Sequence, residues 1–444
     1  MLPEEYMTRM QRLLGAEYGD FLAAYEKPRN AGLRLNPLKT DCPPELSRFA
    51  LRPIPWAENG FWYRPDVRPG KSPWHDAGLY YLQEPSAMAP AGLLDAQPGE
   101  RVLDLCAAPG GKSGQLAGAM RGEGLLVCNE ISESRARVLS GNLERLGVAN
   151  ALVLNERPQR LERVFPGWFD KILVDAPCSG EGMFRREEAA VADWSELTVR
   201  MCARRQAEIL DTAAVLLKPG GRLVYSTCTF SPEEDEGTVS EFLKRHPDFA
   251  VEKTEAPWFS PGRPDWVKEP APGLADTFRL WPHKLSGEGH YAAVLRRLDG
   301  EAGETARQTP AEPPAELEAF RGEAGADIPE GMFVLFGSRV FLAPHGLPSL
   351  AGLRVLRAGL ELGEARRGRF EPAHAWALWL KTAARTMDFP EDAPELRRYL
   401  AGETLPGREP GWTLVTADGL SLGWGKCADG VLKNHYPKAL RRLA

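Results

Sequence analysis

No apolar run in this 444-residue chain approaches the roughly 20 residues that span a bilayer, which excludes a membrane-spanning helix. Cysteine is scarce: Cys42, Cys106, Cys128, Cys178, Cys202, Cys228 and Cys427 are odd in number and lack any CxxC or His-rich pairing. That spacing supplies neither a disulfide framework nor a zinc site, so no metal is expected. Four of the seven lie in or beside apolar runs, where an inert buried thiol is the usual reading. A surplus of positive charge is missing too. With a net charge of −6, any nucleic-acid surface must be local. The N-terminal MLPEEYMTRMQRLL carries acids at once and lacks a basic segment followed by an apolar one, so no secretory signal is expected and the location expected is cytoplasmic.

What is present is modular, because 444 residues exceed one ordinary hydrophobic core. Residues 3–26 have helical apolar spacing, and RNAGLRLNPLKT reads as a turn and a short strand ending at Pro37. With the Trp- and Tyr-rich stretch from Gly60 to Pro90, this makes a small α+β module over 1–95. Over 96–298, strand-like RVLDLC, GLLVCNE, ALVLN, DKILVDAP and GRLVYSTCT alternate with helical SESRARVLSGNLERLG and VRMCARRQAEILDTAAVLLK. Gly147 and Pro219-Gly220-Gly221 are the expected helix stops. This pattern predicts an α/β, doubly wound parallel sheet. Residues 299–316, rich in Pro, Glu, Gly and Ala, read as a solvated linker. The remaining unit, 317–444, holds MFVLFGSRVFLAP, a helical AHAWALWLKTAAR, and hairpin turns at Asp418-Gly419 and Asp429-Gly430.

Chemistry concentrates at three strand ends. DLCAAPGGKSGQLA follows the first strand and opens a helix, so the small residues of Cys106, Ala107, Ala108, Pro109, Gly110, Gly111 and Lys112 let backbone approach a ligand at a helix N-terminus. The next strand ends in Glu130, where a carboxylate meets ribose hydroxyls in nucleoside sites or merely closes a strand. Since the loop matches neither GxGxxG nor a full GxxxxGK[ST], S-adenosylmethionine suits it better than a pyrophosphate cofactor. Asn155 closes the third strand, either at an adenine edge or as a polar strand end.

VDAPCSGEGMF and VYSTCTFSPEEDE then place Cys178 and Cys228 at carboxyl ends of strands on the side of the cofactor loop. Cytosine C5 is a poor nucleophile, but a thiolate adding to C6 makes C5 enamine-like and able to attack a sulfonium methyl. One cysteine is essential to that scheme and a second can help release. Asp175 can hydrogen-bond cytosine N3 or its amino group. Cys228 precedes an expected helix capped by Ser231 with Pro232 at its first position, which would stabilise a thiolate there.

CAAPGGK, DAPCSGEG and YSTCTFSPEEDE resemble the cofactor loop, the Pro-Cys motif and the Thr-Cys motif of the RNA 5-methylcytosine methyltransferases, the Nop2/Sun (RsmB/NOP) group. The resemblance covers about residues 30–298 and implies a Rossmann-like class I methyltransferase domain. It implies Cys228 as nucleophile, Cys178 as the aid to release, and cofactor contacts at Cys106 to Lys112, Glu130, Arg135, Asn155 and Asp175, with Lys112 and Asp175 also near the base. At Asn155 the family commonly carries an acid instead. Residues 29–90 look similar to the family's N-terminal RNA-binding module. The terminal GWGKCADGVLKNHYPKALRRL resembles the PUA-like tail of the RsmF-like branch, implying 16S rRNA in the small ribosomal subunit as the partner.

Other readings compete. A DNA cytosine-5 methyltransferase would use Cys178 as nucleophile, against which stand the second cysteine and the flanking modules. A tRNA methyltransferase, a non-catalytic assembly factor, and a protein or small-molecule methyltransferase are further classes, and the last gives two strand-end cysteines nothing to do. Candidate basic clusters are Arg185 with Arg186, Arg200 with Arg204 and Arg205, and Lys433, Lys438, Arg441 and Arg442, each more often a solvated face. His75, His435, Trp62, Trp74 and Trp281 are more often structural than functional.

Overall fold

The computed structural model describes residues 2–40 and 43–442, so Cys42 lies outside the described residues. The central feature is a ten-stranded sheet. Its parallel core consists of β1 (Arg101–Asp104), β2 (Leu125–Asn129), β3 (Ala151–Leu154), β4 (Phe169–Asp175) and β5 (Leu217–Thr227). Neighbouring residues on each strand point to opposite faces. Val102, Leu126, Val153 and Val224 meet one helical layer, while Leu103, Val127, Leu152 and Leu223 meet the other. The first layer holds α1 (Ala89–Leu94), α2 (Gly111–Ala119) and α3 (Glu133–Arg145), and the second α4 (Glu196–Leu216) and α5 (Glu236–Arg245). This is the doubly wound α/β domain expected from the alternating pattern.

Five antiparallel additions make the sheet mixed rather than purely parallel, two of them the short edge strands Phe249–Val251 and Ser260–Pro261. β6 (Phe278–Leu280) and β7 (His290–Arg297) extend it antiparallel beyond β5, and β8 (Val355–Ala358) pairs antiparallel with β3 at the opposite edge. β8 comes from the C-terminal unit, so that unit completes the central sheet instead of hanging from a free linker. Residues 299–316, expected as a solvated linker, include no buried residue, but their backbone is pinned by Gly303 N to Gly167 O, Gln308 N to Leu347 O and Ala311 N to Phe333 O, and a helix begins at Ala315. Short backbone bonds of this kind need no apolar side chain and leave no compositional trace. α1 precedes the boundary drawn near residue 95 yet packs on the sheet through Leu93 and Leu94.

Element ends differ in places. α4 stops at Leu216, where Leu217 turns extended, and Pro219-Gly220-Gly221 bulges out of β5 instead of ending the helix. The expected helix over 373–385 spans only His374–Trp379. Both Asp-Gly hairpins form, with Asp418, Gly419, Asp429 and Gly430 all at positive φ.

The terminal modules close on each other. The N-terminal helices Glu4–Leu14 and Tyr18–Tyr25 bury Tyr6, Met10 and Phe21 against Phe184, Trp194, Phe230 and Trp281 beside the cysteine loops. Leu33, Trp74 and Tyr80 share a core with Val415, Leu422 and Leu432 of the C-terminal five-stranded sheet and with Leu396 and Tyr399 of the helix Pro394–Ala401 beside it.

Candidate active site

β1 sits between β2 and β4, so the chain reverses its winding direction across the β1–β4 pair. The loops leaving these strands diverge and open a crevice at their carboxyl ends, where such sheets bind ligands. The loop after β1 carries Cys106 to Lys112, the loop after β4 carries Cys178, and the loop after β5 carries Cys228. The three motifs legible in the sequence therefore converge on one crevice.

Asp175, the last residue of β4, is the hub. Its Oδ2 accepts from Lys112 Nζ at 2.8 Å, its Oδ1 accepts from Ser226 Oγ at 2.8 Å, and His290 Nε2 lies 3.4 Å from Oδ1. Burial alone would raise the Asp175 carboxyl, but the Lys112 ammonium holds it well below the usual carboxylate range. Burial would likewise depress the Lys112 ammonium, and Asp175 more than offsets this, leaving it raised. The result is a fixed carboxylate–ammonium pair.

The two thiols lie 3.3 Å apart, Cys178 Sγ to Cys228 Sγ, each half-buried. Contact with Cys228, and then burial, push the Cys178 thiol well above its ordinary value. Crossed carboxylates fix this pairing. Glu181, on the Cys178 loop, accepts from Phe230 N at 2.8 Å and Ser231 Oγ at 2.6 Å on the Cys228 loop. Glu234, on the Cys228 loop, accepts from Ser179 N at 2.9 Å and from Ser179 Oγ on the Cys178 loop. Ser179 Oγ also meets Thr229 Oγ1 at 2.8 Å, and Gln206 of α4 reaches Glu234 at 2.8 Å and Pro177 O at 3.0 Å. Glu181 and Glu234 are both fully buried, and burial pushes the Glu234 carboxyl up to about 7.

The cofactor side is acidic and small. Glu130 is buried, accepts from Ser132 N at 2.8 Å and lies 3.4 Å from the exposed Arg135 guanidinium. Arg135 also donates to Ala108 O at 2.8 Å, tying α3 to the loop. Gly110 sits at φ +108 immediately before α2, a conformation an L side chain rarely adopts. Burial raises the Cys106 thiol far out of the thiolate range, so its contribution to the loop is shape and backbone. Lys112 is committed to Asp175, so the loop offers no free cation to a phosphate. Carboxylates with no competing free cation suit a nucleoside bearing a sulfonium, and the residues present fit S-adenosylmethionine on those grounds.

Several expectations change. Both hydrogens of the Asn155 amide go to main-chain carbonyls, Glu130 O at 2.8 Å and Ile131 O at 2.9 Å, so this side chain braces the Glu130 turn from behind. Ser231 does not cap a helix: α5 begins only at Glu236, because Asp235 leaves helical geometry and its carboxylate takes Thr227 Oγ1 at 2.6 Å. The helix dipole therefore does not act directly at Cys228. Arg185 lies 3.2 Å from Glu288 and donates to Lys27 O, while Arg186 donates to Asn30 O at 2.8 Å. That cluster is a clamp between modules. Arg442 is spent on Asp76, whereas Arg204 and Arg205 are exposed on α4. Trp74 and Trp281 are buried, Trp62 is half-buried and donates to Ser286 O at 2.9 Å, and burial lowers His75 to about 3 and lowers His435. Sequence reasoning passed over Ser179, Glu181, Gln206, Ser226, Glu234 and His290. The available signal was the single acid of SGEGMF directly after Cys178 and the four acids of SPEEDE, which begins three positions after Cys228.

Comparison with known proteins gives the family. The family model for 16S rRNA methyltransferase RsmB/F matches residues 91–296, and that for the N-terminal domain of 16S rRNA methyltransferase RsmF matches 2–85. The RsmF first C-terminal domain matches 319–380 and the RsmF PUA domain 387–442, so the C-terminal unit contains two matched regions. Ribosomal RNA small subunit methyltransferase F of Vibrio campbellii is 32% identical, covering 99% of this chain and 98% of that one. The protein of that name from Escherichia coli strain 55989 is 32% identical, covering 99% and 96%. A methyltransferase homolog protein from Pyrococcus horikoshii is 32% identical over 66% of this chain and 94% of that one, with a TM-score of 0.56. The NSun6 structure from Pyrococcus horikoshii with SFG shares the fold, at 21% identity and a TM-score of 0.56, covering 67% and 99%.

Proposed function

We propose, because this chain belongs to the ribosomal RNA small subunit methyltransferase F family, that it methylates carbon 5 of cytosine in 16S rRNA with Cys228 as covalent nucleophile. The observation that carries this reading is the pair of strand-end thiols 3.3 Å apart beside the Lys112–Asp175 pair.

S-adenosylmethionine is the methyl donor, supplying an electrophilic methyl on a sulfonium. Cys106 to Gly111 would hold it with their backbone, Glu130 with its carboxylate, and Arg135 by keeping the loop closed. Asn155 acts one step behind, as a positioning residue for Glu130.

Cys228 Sγ adds to C6 of the target base, and the proton leaving the thiol is balanced by one taken up at N3. Asp175 favours that protonation by accepting the new N3–H, and Lys112 keeps Asp175 ionised and oriented. C5 thereby becomes the nucleophile that takes the methyl group. Transfer of the C5 proton to water lets the C5–H electron pair form the C5–C6 double bond and returns the electron pair of the Sγ–C6 bond to sulfur, and N3 gives its proton back to that thiolate. Cys178, a thiol whose own ionisation is suppressed, donates toward the departing Cys228 sulfur and so aids release.

The RNA reading extends to the flanking units: 1–95 and 317–444 contact RNA, 96–298 carries the reaction, and 299–316 joins them. Exposed Arg204 and Arg205 are the remaining basic candidates on the catalytic domain. No described helix is long and apolar enough to cross a membrane, and the proposed location is the cytoplasm, on small-subunit RNA.

The test uses RNA carrying 5-fluorocytosine, whose C5 cannot release its substituent as a proton, so the adduct is trapped. Cys228→Ala is expected to lose methylation by at least about 10⁴-fold and to trap nothing. Cys178→Ala is expected to form the adduct and release ordinary product slowly. The reverse pattern would exchange the two roles.

A further inference from the structure

His290 opens β7 and is 4% exposed, yet its Nε2 makes no hydrogen bond. The other ring nitrogen, Nδ1, lies 3.2 Å from Gly289 O, an atom that only accepts, so in the neutral ring Nδ1 carries the proton. Nε2 then presents a bare lone pair. What faces it, at 3.4 Å, is Asp175 Oδ1. Two acceptors stand side by side, and the donors that serve Asp175, Lys112 and Ser226, leave His290 Nε2 unserved. A buried acceptor in this state is costly, and a donor brought by the substrate would relieve it.

We propose that His290 is a specificity-determining residue that accepts a hydrogen bond from the 4-amino group of the target cytosine. The inference rests on the reading that Asp175 meets N3 of the same base. Once C6 has accepted the thiolate and N3 its proton, the ring edge offers two adjacent donors, N3–H and the amino N–H. Asp175 Oδ1 and His290 Nε2 are two adjacent acceptors that match them. Uracil presents O4 where cytosine presents its amino group, which would set an oxygen lone pair against the His290 lone pair in a desolvated site. Asp175 alone discriminates poorly, because both bases carry a hydrogen on N3 in the addition state. The choice between them falls to His290.

The experiment compares wild type, His290→Phe and His290→Gln in single-turnover methylation of small-subunit RNA. The substrates carry cytidine, 2-pyrimidinone riboside or uridine at the position that wild type methylates, located first by bisulfite sequencing. Phe keeps the ring without the acceptor, 2-pyrimidinone lacks only the amino group, and Gln offers an amide oxygen near the Nε2 position. His290→Phe is expected to slow cytidine by about tenfold or more and leave 2-pyrimidinone nearly unchanged, so the ratio of the two rates falls by that factor. His290→Gln is expected to restore most of the ratio. Unchanged S-adenosylhomocysteine affinity would report that the crevice is intact. If His290→Phe slows both substrates equally, His290 only supports Asp175 and the proposal is overturned. Should His290→Phe fail to fold, a His290→Gln ratio no different from that of His290→Ala overturns it too. Absence of cytidine methylation by wild type would instead remove the reading of function on which it rests.

Discussion

The two cysteine loops meet at their sulfur atoms but are anchored in opposite ways. The Cys228 loop leaves a strand in the middle of the sheet and is gripped by a buried charge cluster: Arg279 donates to Phe230 O at 3.0 Å and pairs with Asp235 at 3.2 Å and with Glu236. The Cys178 loop is glycine-rich and borrows its order from that cluster's neighbours, through Glu234 and Gln206. The Cys228 loop thus has a buried charge cluster in addition to its crossed carboxylate, whereas the Cys178 loop has its crossed carboxylate and Gln206. The comparison teaches that identical groups receive different work from how rigidly each is held, since bond-making chemistry tolerates little displacement.

The largest effect should come from removing the grip itself. Arg279→Met strips Asp235 and Glu236 of their buried partner, and the expected loss is about 3–5 kcal/mol of unfolding free energy in denaturant titration. Unfolding that is barely altered would mean the Cys228 loop needs no such cluster. Next come the crossed carboxylates taken singly. Glu181→Gln and Glu234→Gln should each cost about 1–3 kcal/mol, but with different kinetic signatures. The first loosens Cys228 and slows adduct formation, and the second loosens Cys178 and slows release. Identical signatures would erase the distinction between the loops.

Proton linkage sharpens the same contrast. Glu234 has a folded value of about 7, above its ordinary 4.5, so its neutral form is favoured by folding. Its contribution to stability is fully present below pH 4.5 and is lost as pH rises through about 7. The wild-type minus Glu234→Gln difference in unfolding free energy should carry that slope, and a flat difference would refute it. Asp175 runs the other way: its carboxyl is depressed, so its contribution is present above the ordinary carboxylate range and is lost only at strongly acid pH. In Lys112→Met burial prevails, and the acid limb of the methylation profile should move up by about one unit or more. The smallest effect is this shift, read from initial rates against pH.

Much of the site was legible because its parts are local. Strand, turn and helix start follow one another within DLCAAPGGKS, and the two cysteine motifs each sit within a few residues of a strand end. Less legible were the residues whose meaning depends on distant partners. Glu234 lies in the first turn of the helix expected after Ser231, yet it closes on Ser179, 55 positions away. Asn155 sits at a plausible adenine position, yet both hydrogens of its amide are taken by the Glu130 turn. Arg185 and Arg186 read as a basic patch, yet they bind the N-terminal module and Glu288.

The chain's own order of residues settled the α/β alternation, the three motifs and both Asp-Gly hairpins, since each depends on periodicity or backbone preference within a short window. Only the folded arrangement decided which acids are buried, where α5 begins, that β8 joins the central sheet, and that His290 faces Asp175. Those outcomes depend on contacts between segments far apart in the chain, whose desolvation and pairing energies outweigh local preference and exist only once the segments have met.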